Sequence, residues 1–161
     1  MNDIHYHLII NHFPIVGTIL AFFIVIIGFL SRVSAVLHTG LAIFIFSALT
    51  SLAAFQTGEN AEDMAESLPG VSHELIEKHE HEAERFRSFS IAAGVLALIA
   101  LYLSVKKKPG VVMLCTALLI VAGVAAFYSS KAGTSGGEIR HPEIREGYTV
   151  SINSHGKEAD D

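Results

Sequence analysis

Hydrophobic and polar positions along the chain fall into long blocks. Four apolar runs without a charged residue, Phe13–Leu30, Leu41–Phe55, Phe89–Val105 and Val111–Tyr128, are separated by polar segments of unequal length. A helix crosses a bilayer core in roughly 20 residues, with roughly 17 as the lower limit. Three runs reach that limit directly, and the second does so once Gly40 and Gln56–Thr57 are counted. The pattern predicts an all-α fold, an antiparallel four-helix transmembrane bundle with spans at about 13–30, 40–57, 88–105 and 111–130. The membrane domain then covers residues 1–145, and 146–161 form a polar C-terminal tail.

Local signals set the expected element ends. Pro14 suits the first turn of a helix, so the first span begins at "HFPI" and leaves His12 at the water boundary. "TGEN" closes the second span with Gly58 as a C-cap, and "ENAEDMAES" forms a separate short amphipathic helix that stops at "LPG". Ser72 is a good N-cap for a third helix running to Val105, whose first four turns form an amphipathic extension preceding span three. "KKKPG" makes a tight turn. After the fourth span, "SSKAGTSGGEIRHPEIREG" breaks the helix, with Gly136 and Gly137 in a structural turn, and folds over the bundle mouth. No internal repeat stands out.

Composition agrees with this frame: half of the 161 residues are hydrophobic. Residues 1–12 contain Asp3 and no Lys or Arg, so the first run lacks the basic n-region of a signal peptide and reads as a retained span. Cys115 is the single cysteine and lies inside the fourth run, which excludes a disulfide framework or a CxxC knuckle. No basic stripe or aromatic platform points to nucleic acid.

Charge is sorted by side. The short loops 31–38 and 106–110 carry Arg32, Lys106, Lys107 and Lys108 and no acid. Every Asp and Glu, and every His except His38, falls on the other side, where sixteen acids face seven Lys or Arg. Basic short loops mark the cytoplasm. The expectation is a multi-pass protein of a bacterial inner membrane with both termini extracytoplasmic.

The acidic side holds the candidate chemistry. In "HELIEKHEHEAERF", residues 73–86, five glutamates and three histidines precede an apolar run. At roughly 100° per residue, Leu75, Ile76, Ala83, Phe86 and Phe89 centre near 30–40°, and His79 falls at about 40°, inside that stripe. His81, His73, Glu77 and Glu84 fall on the solvated side. An imidazole on an apolar stripe either hydrogen-bonds a carbonyl or carboxylate, or serves as a metal ligand. Four spans bring His12, Glu59, Glu62, Glu138 and His141 to the same end of the bundle as His79. His and Glu drawn from separate helices make the kind of set that four-helix bundles use for iron and other transition metals. His7 and Glu80 are additional candidates. On the short helix, Ala61, Met64, Ala65 and Leu68 form one stripe, and Glu59, Asp63 and Glu66 point away as solvated acids; Glu59, next to the span, and Glu62, at the stripe's edge, stay candidates.

Two functional classes follow. One is a membrane protein with a His/Glu site for iron, zinc or copper at the outer mouth, engaged in electron transfer or metal handling with a respiratory or periplasmic redox partner. Its variant is a b-type haem held axially by two of these histidines. The other class is a structural or assembly subunit whose acidic face docks a basic partner. An enzyme finds little support. There is no HExxH motif, no nucleophile, no charged residue inside a span, and no lysine in glycine-rich "TSGGE" to make a phosphate loop.

Two stretches resemble a known family. "HLIINHFPIVG" resembles the H-x4-H-F-P-I opening of an uncharacterised bacterial family of small four-helix membrane proteins, a domain of unknown function. "TSGGEIRHPE" resembles the glycine pair followed by His that closes the last span there, at a shorter spacing than is usual. "TGENAED" and the "HE" heading span three fall in comparable places. The resemblance implies an integral-membrane bundle with His7, His12, Gly136, Gly137 and His141 at motif positions, and an association with redox work.

Overall fold

In the computed structural model, which describes residues 3–149, the chain is all-α. Most of the expected tail lies outside the described residues. The elements are α1 (Asp3–Ile10), α2 (His12–Ser31), α3 (Ser34–Glu66), α4 (His73–Val105), α5 (Val111–Arg140) and a 3₁₀ turn at Pro142–Ile144. α2 to α5 form four antiparallel bundle helices: α3 packs between α2 and α4, α5 between α4 and α2, and α1 lies on α3. Four helical stretches, α1 and α2 taken together and α3, α4 and α5, are each long and apolar enough to cross a membrane. The chain is a multi-pass membrane protein, and side chains such as Leu30, Leu49, Leu98 and Met113 stand exposed where lipid is their natural neighbour.

Several boundaries differ from expectation. The first helical unit starts before "HFPI": α1 leads into α2 through Asn11, which keeps helical dihedrals and donates its N–H to the His7 carbonyl at 2.9 Å. Gly58 does not cap a helix. α3 runs through it to Glu66, so "ENAEDMAES" is the end of that helix and not a separate one. α5 likewise runs through Gly136 and Gly137, which are helical, not a turn. Tertiary contact outweighs the helix penalty of glycine, about 1 kcal/mol each, at Gly58 and Gly136, where another element occupies the space of the missing side chain. The loop expected over 31–38 shrinks to Arg32 and Val33, with Arg32 in the left-handed region at φ 58°.

The core is built from small residues. Ala21, Ala93, Ala97, Ala100 and Ala122 are fully buried with Val25, Leu41, Phe44 and Leu118. In a bilayer the helices gain little by hiding apolar surface from lipid, so close backbone approach and dispersion contacts hold them together. A Cβ on Gly28 would overlap the Leu37 backbone, and one on Gly94 would overlap the Ala48 Cβ.

The buried positions also reveal an internal repeat that sequence reading missed. Buried Pro14, Thr18, Ala21, Val25 and Gly28 of α2 match buried Phe86, Ser90, Ala93, Ala97 and Ala100 of α4 at one constant register. Buried Leu37, Gly40, Phe44, Ser51 and Ala54 of α3 match buried Cys115, Leu118, Ala122, Ser129 and Ala132 of α5 at another. The hydroxyls follow suit. Ser51 and Ser129 each donate to the carbonyl three residues back at 2.8 Å, and buried Thr18 and Ser90 each lack a partner. The bundle is two similar helical hairpins side by side.

The close α2–α3 contact is testable. Gly28→Ala should lower stability in detergent by roughly 1–3 kcal/mol through overpacking. Gly123→Ala, at a site with nothing within 4 Å, should be neutral or slightly stabilising. Equal thermal midpoints for the two variants would contradict this packing.

Candidate functional site

The charged first turns of α4, residues 73–87, stand ahead of its apolar run. Within them Ile76 and Phe86 are buried, His79 is half-buried, and His73, Glu77, His81 and Glu84 are exposed, in line with the helical periodicity. His79 lies against α5. Its Nδ1 is 3.1 Å from the Ala132 carbonyl and 3.1 Å from Ser135 Oγ. A carbonyl only accepts, so Nδ1 carries the proton and Nε2 keeps a free lone pair. Gly136 makes room for the ring, since a Cβ there would stand 3.0 Å from His79 Cε1.

His7 repeats this arrangement in the other hairpin. Its Nδ1 donates to the Ala54 carbonyl at 3.0 Å and lies 3.4 Å from Thr57 Oγ1, while a Cβ on Gly58 would stand 3.1 Å from its Cε1. "AFQTG" of α3 and "AGTSG" of α5 thus serve one purpose: a carbonyl, a hydroxyl one turn on, and a glycine next to it receive an imidazole edge. In both, the hydroxyl also donates to that carbonyl, Thr57 to Ala54 at 3.0 Å and Ser135 to Ala132 at 3.1 Å. The two rings then meet each other, with centroids 6.2 Å apart and planes at 78°. Burial, followed by the neighbouring His7, pushes the His79 pKa down to about 4, so the ring is neutral at pH 7.

A second group sits where α3 ends and α4 begins. Among the described residues, Glu62, Glu66 and His73 offer ligand-type atoms that all lie within 4.8 Å of one another. Glu66 and His73 are exposed and Glu62 is half-buried. The Glu66 carboxylate, by hydrogen bond and by charge, raises the His73 pKa. Partial burial, then the charge and a hydrogen bond of Glu62, then Glu59, hold the Glu80 carboxyl above its ordinary value.

The other sequence candidates engage different partners. His12 is exposed, with Nδ1 donating to the Leu8 carbonyl at 2.9 Å. His141 ends α5 and pairs with Glu143 at 2.8 Å; the backbone N–H of Glu143, then the His141 ring, draw that carboxyl's pKa down. Glu138 is half-buried and bonds Lys78 of α4 at 2.6 Å. Arg145 caps the end of α5, donating to the carbonyls of Glu138 and Ile139, and reaches the Gly70 carbonyl in the α3–α4 loop at 3.1 Å. The Arg145 side chain thus ties the segment after α5 to the α3–α4 loop. Of the expected ligand set, Glu62 joins the carboxylate group and His79 meets His7. Glu66 and His73 fall on the solvated faces of their helices by periodicity alone. The signal for them was their position, one near the end of α3 and the other at the first residue of α4, beside each other once the hairpin closes.

Comparison of the chain with protein-family models, curated proteins and solved structures finds no match. The likeness carried by "HLIINHFPIVG" and "TSGGEIRHPE" therefore identifies no family, and what stands is a multi-pass four-helix membrane protein with a His/Glu-rich mouth.

Proposed function

We propose that this protein handles a divalent transition-metal ion, zinc or iron, at the extracytoplasmic mouth of its bundle. The observation that carries this reading is the approach of Glu62, Glu66 and His73 to within 4.8 Å at the α3–α4 junction. Two carboxylates and an imidazole, with water completing the shell, form an oxygen- and nitrogen-rich set suited to such ions. Glu59 and Glu80 add negative potential beside it. Exposure of Glu66 and His73 suits exchange with solvent or with a redox or metal-carrying partner rather than permanent retention. Arg32 and Lys106–Lys108 in the short turns support a cytoplasmic placement of that end, which would turn the mouth outward.

Two measurements test this. In a Zn(II) or Co(II) titration of the purified protein, His73→Ala and Glu66→Gln should each weaken binding by roughly tenfold or more. His141→Ala, whose ring bonds Glu143 instead, should leave binding unchanged. Wild-type affinity in both mouth variants would remove the proposal. In intact cells, a membrane-impermeant maleimide should label Ser67→Cys and spare Lys107→Cys. The reverse pattern would invert the topology, and native Cys115, fully buried, adds no background.

A further inference from the structure

We infer that His7 and His79 form a second site, separate from the Glu62–Glu66–His73 group, where the Nε2 atoms of both rings bind a single metal centre: copper(I) or the iron of a haem. The argument starts from what each ring has already committed. Both make their hydrogen bonds through Nδ1 to a backbone carbonyl, Ala54 for His7 and Ala132 for His79. That bond fixes the tautomer, makes Nε2 the only basic nitrogen, and orients the ring, as it does for metal-bound histidines generally. A purely structural histidine needs only one such bond. Here the same construction occurs twice and brings the two rings against each other.

Distance is the second argument. A metal sits about 2.0–2.1 Å from an imidazole nitrogen, and that nitrogen lies roughly 1.1 Å from its ring centre. Two rings in line through one metal therefore have centres about 6.3 Å apart. The observed separation is 6.2 Å, with the planes at 78°. The present separation of the ring centres thus matches that of two imidazoles sharing one ion.

Symmetry is the third argument. His7 and His79 occupy equivalent places in the two hairpins, each beside the glycine that follows the Thr57 or Ser135 hydroxyl. Two equivalent donors, one from each hairpin, favour a centre with two equivalent positions to fill. This selects the metal. Zinc wants four ligands from the protein and water, and the pair supplies two. Copper(I) accepts two nitrogens, and haem iron, with four from its porphyrin, takes two more axially.

The test uses the full chain in mild detergent, titrated in separate experiments with ferric haem and with copper(I) held in a competing chelator. One probe should bind at one equivalent per chain. With haem, the expected signature is a low-spin, six-coordinate spectrum that becomes high-spin in His7→Ala and equally in His79→Ala. With copper(I), each variant should lose about tenfold or more in affinity, and the double variant hardly more than either single one. Glu66→Gln should leave both readouts intact, so this site and the divalent-ion group stand or fall separately. If the alanine variants fail to fold, Gly136→Ala carries the test: it keeps both rings but crowds His79, and should weaken binding several-fold or raise the high-spin fraction. Absence of stoichiometric binding by the wild-type chain, binding that survives loss of either histidine within about threefold, or an unaltered Gly136→Ala would overturn the shared centre.

Discussion

The missing Cβ is the constraint on which this structure depends. Helices in a lipid bilayer gain little by burying apolar side chains against each other, because lipid already solvates them. Their stability comes from proximity, and proximity requires small residues at the seams. Gly28 against the Leu37 backbone, Gly94 against Ala48, and the buried alanines of α2, α4 and α5 meet this demand inside the apolar runs. At the mouth the same device serves a polar purpose. Gly58 and Gly136 admit an imidazole edge where a methyl group would stand in its way.

A carbonyl inside a regular helix already has an N–H partner and one lone pair to spare. The Ala54 and Ala132 carbonyls use that spare pair to accept from His7 and His79 as well as from the adjacent hydroxyl. Each ring is thereby anchored by its proton and held by its flat edge. His79 is mostly hidden from water, which penalises its charged form. Local sequence, helix packing and ring protonation are therefore one linked arrangement. The chain carries it twice because its two hairpins are alike at buried positions.

How legible was this in the sequence? The four spans were plain, because uninterrupted apolar length is a strong signal and no other element needs it. The inward direction of His79 was also readable, since Leu75, Ile76, Ala83 and Phe86 fix the phase of the helix around it. Helix continuity across Gly58 and Gly136 was hidden. Glycine argues locally for a stop, and only the ring that occupies its space explains why the helix continues. The repeat was hidden for a different reason. First and second helices match at different shifts, and the matched residues are alanines, serines and glycines that abound in any membrane helix. His7 was named among the candidates, but nothing local to "DIHYHLII" shows which helix it meets. Glu66 and His73 looked solvated because periodicity describes one helix at a time, whereas their approach belongs to the junction of two.

The two proposed sites divide the chemistry of the mouth by exposure. Glu62, Glu66 and His73, with Glu59 and Glu80 beside them, crowd carboxylates where α3 ends, and burial first, then the Glu62 and Glu59 charges, raise the Glu80 pKa. On the first proposal, a divalent cation would relieve this crowding by charge. His7 and His79 present the opposite case: neutral rings, partly withdrawn from water, with backbone carbonyls as their partners. On the second proposal, a hard cation gains little at that pair, and a softer or porphyrin-held metal suits it better. Lys78–Glu138 and the Arg145 cap tie α4, α5 and the α3–α4 loop together around both groups. Rigid helices rather than loops thus hold the imidazole pair, while Glu66 and His73 stand open to solution at the α3–α4 junction.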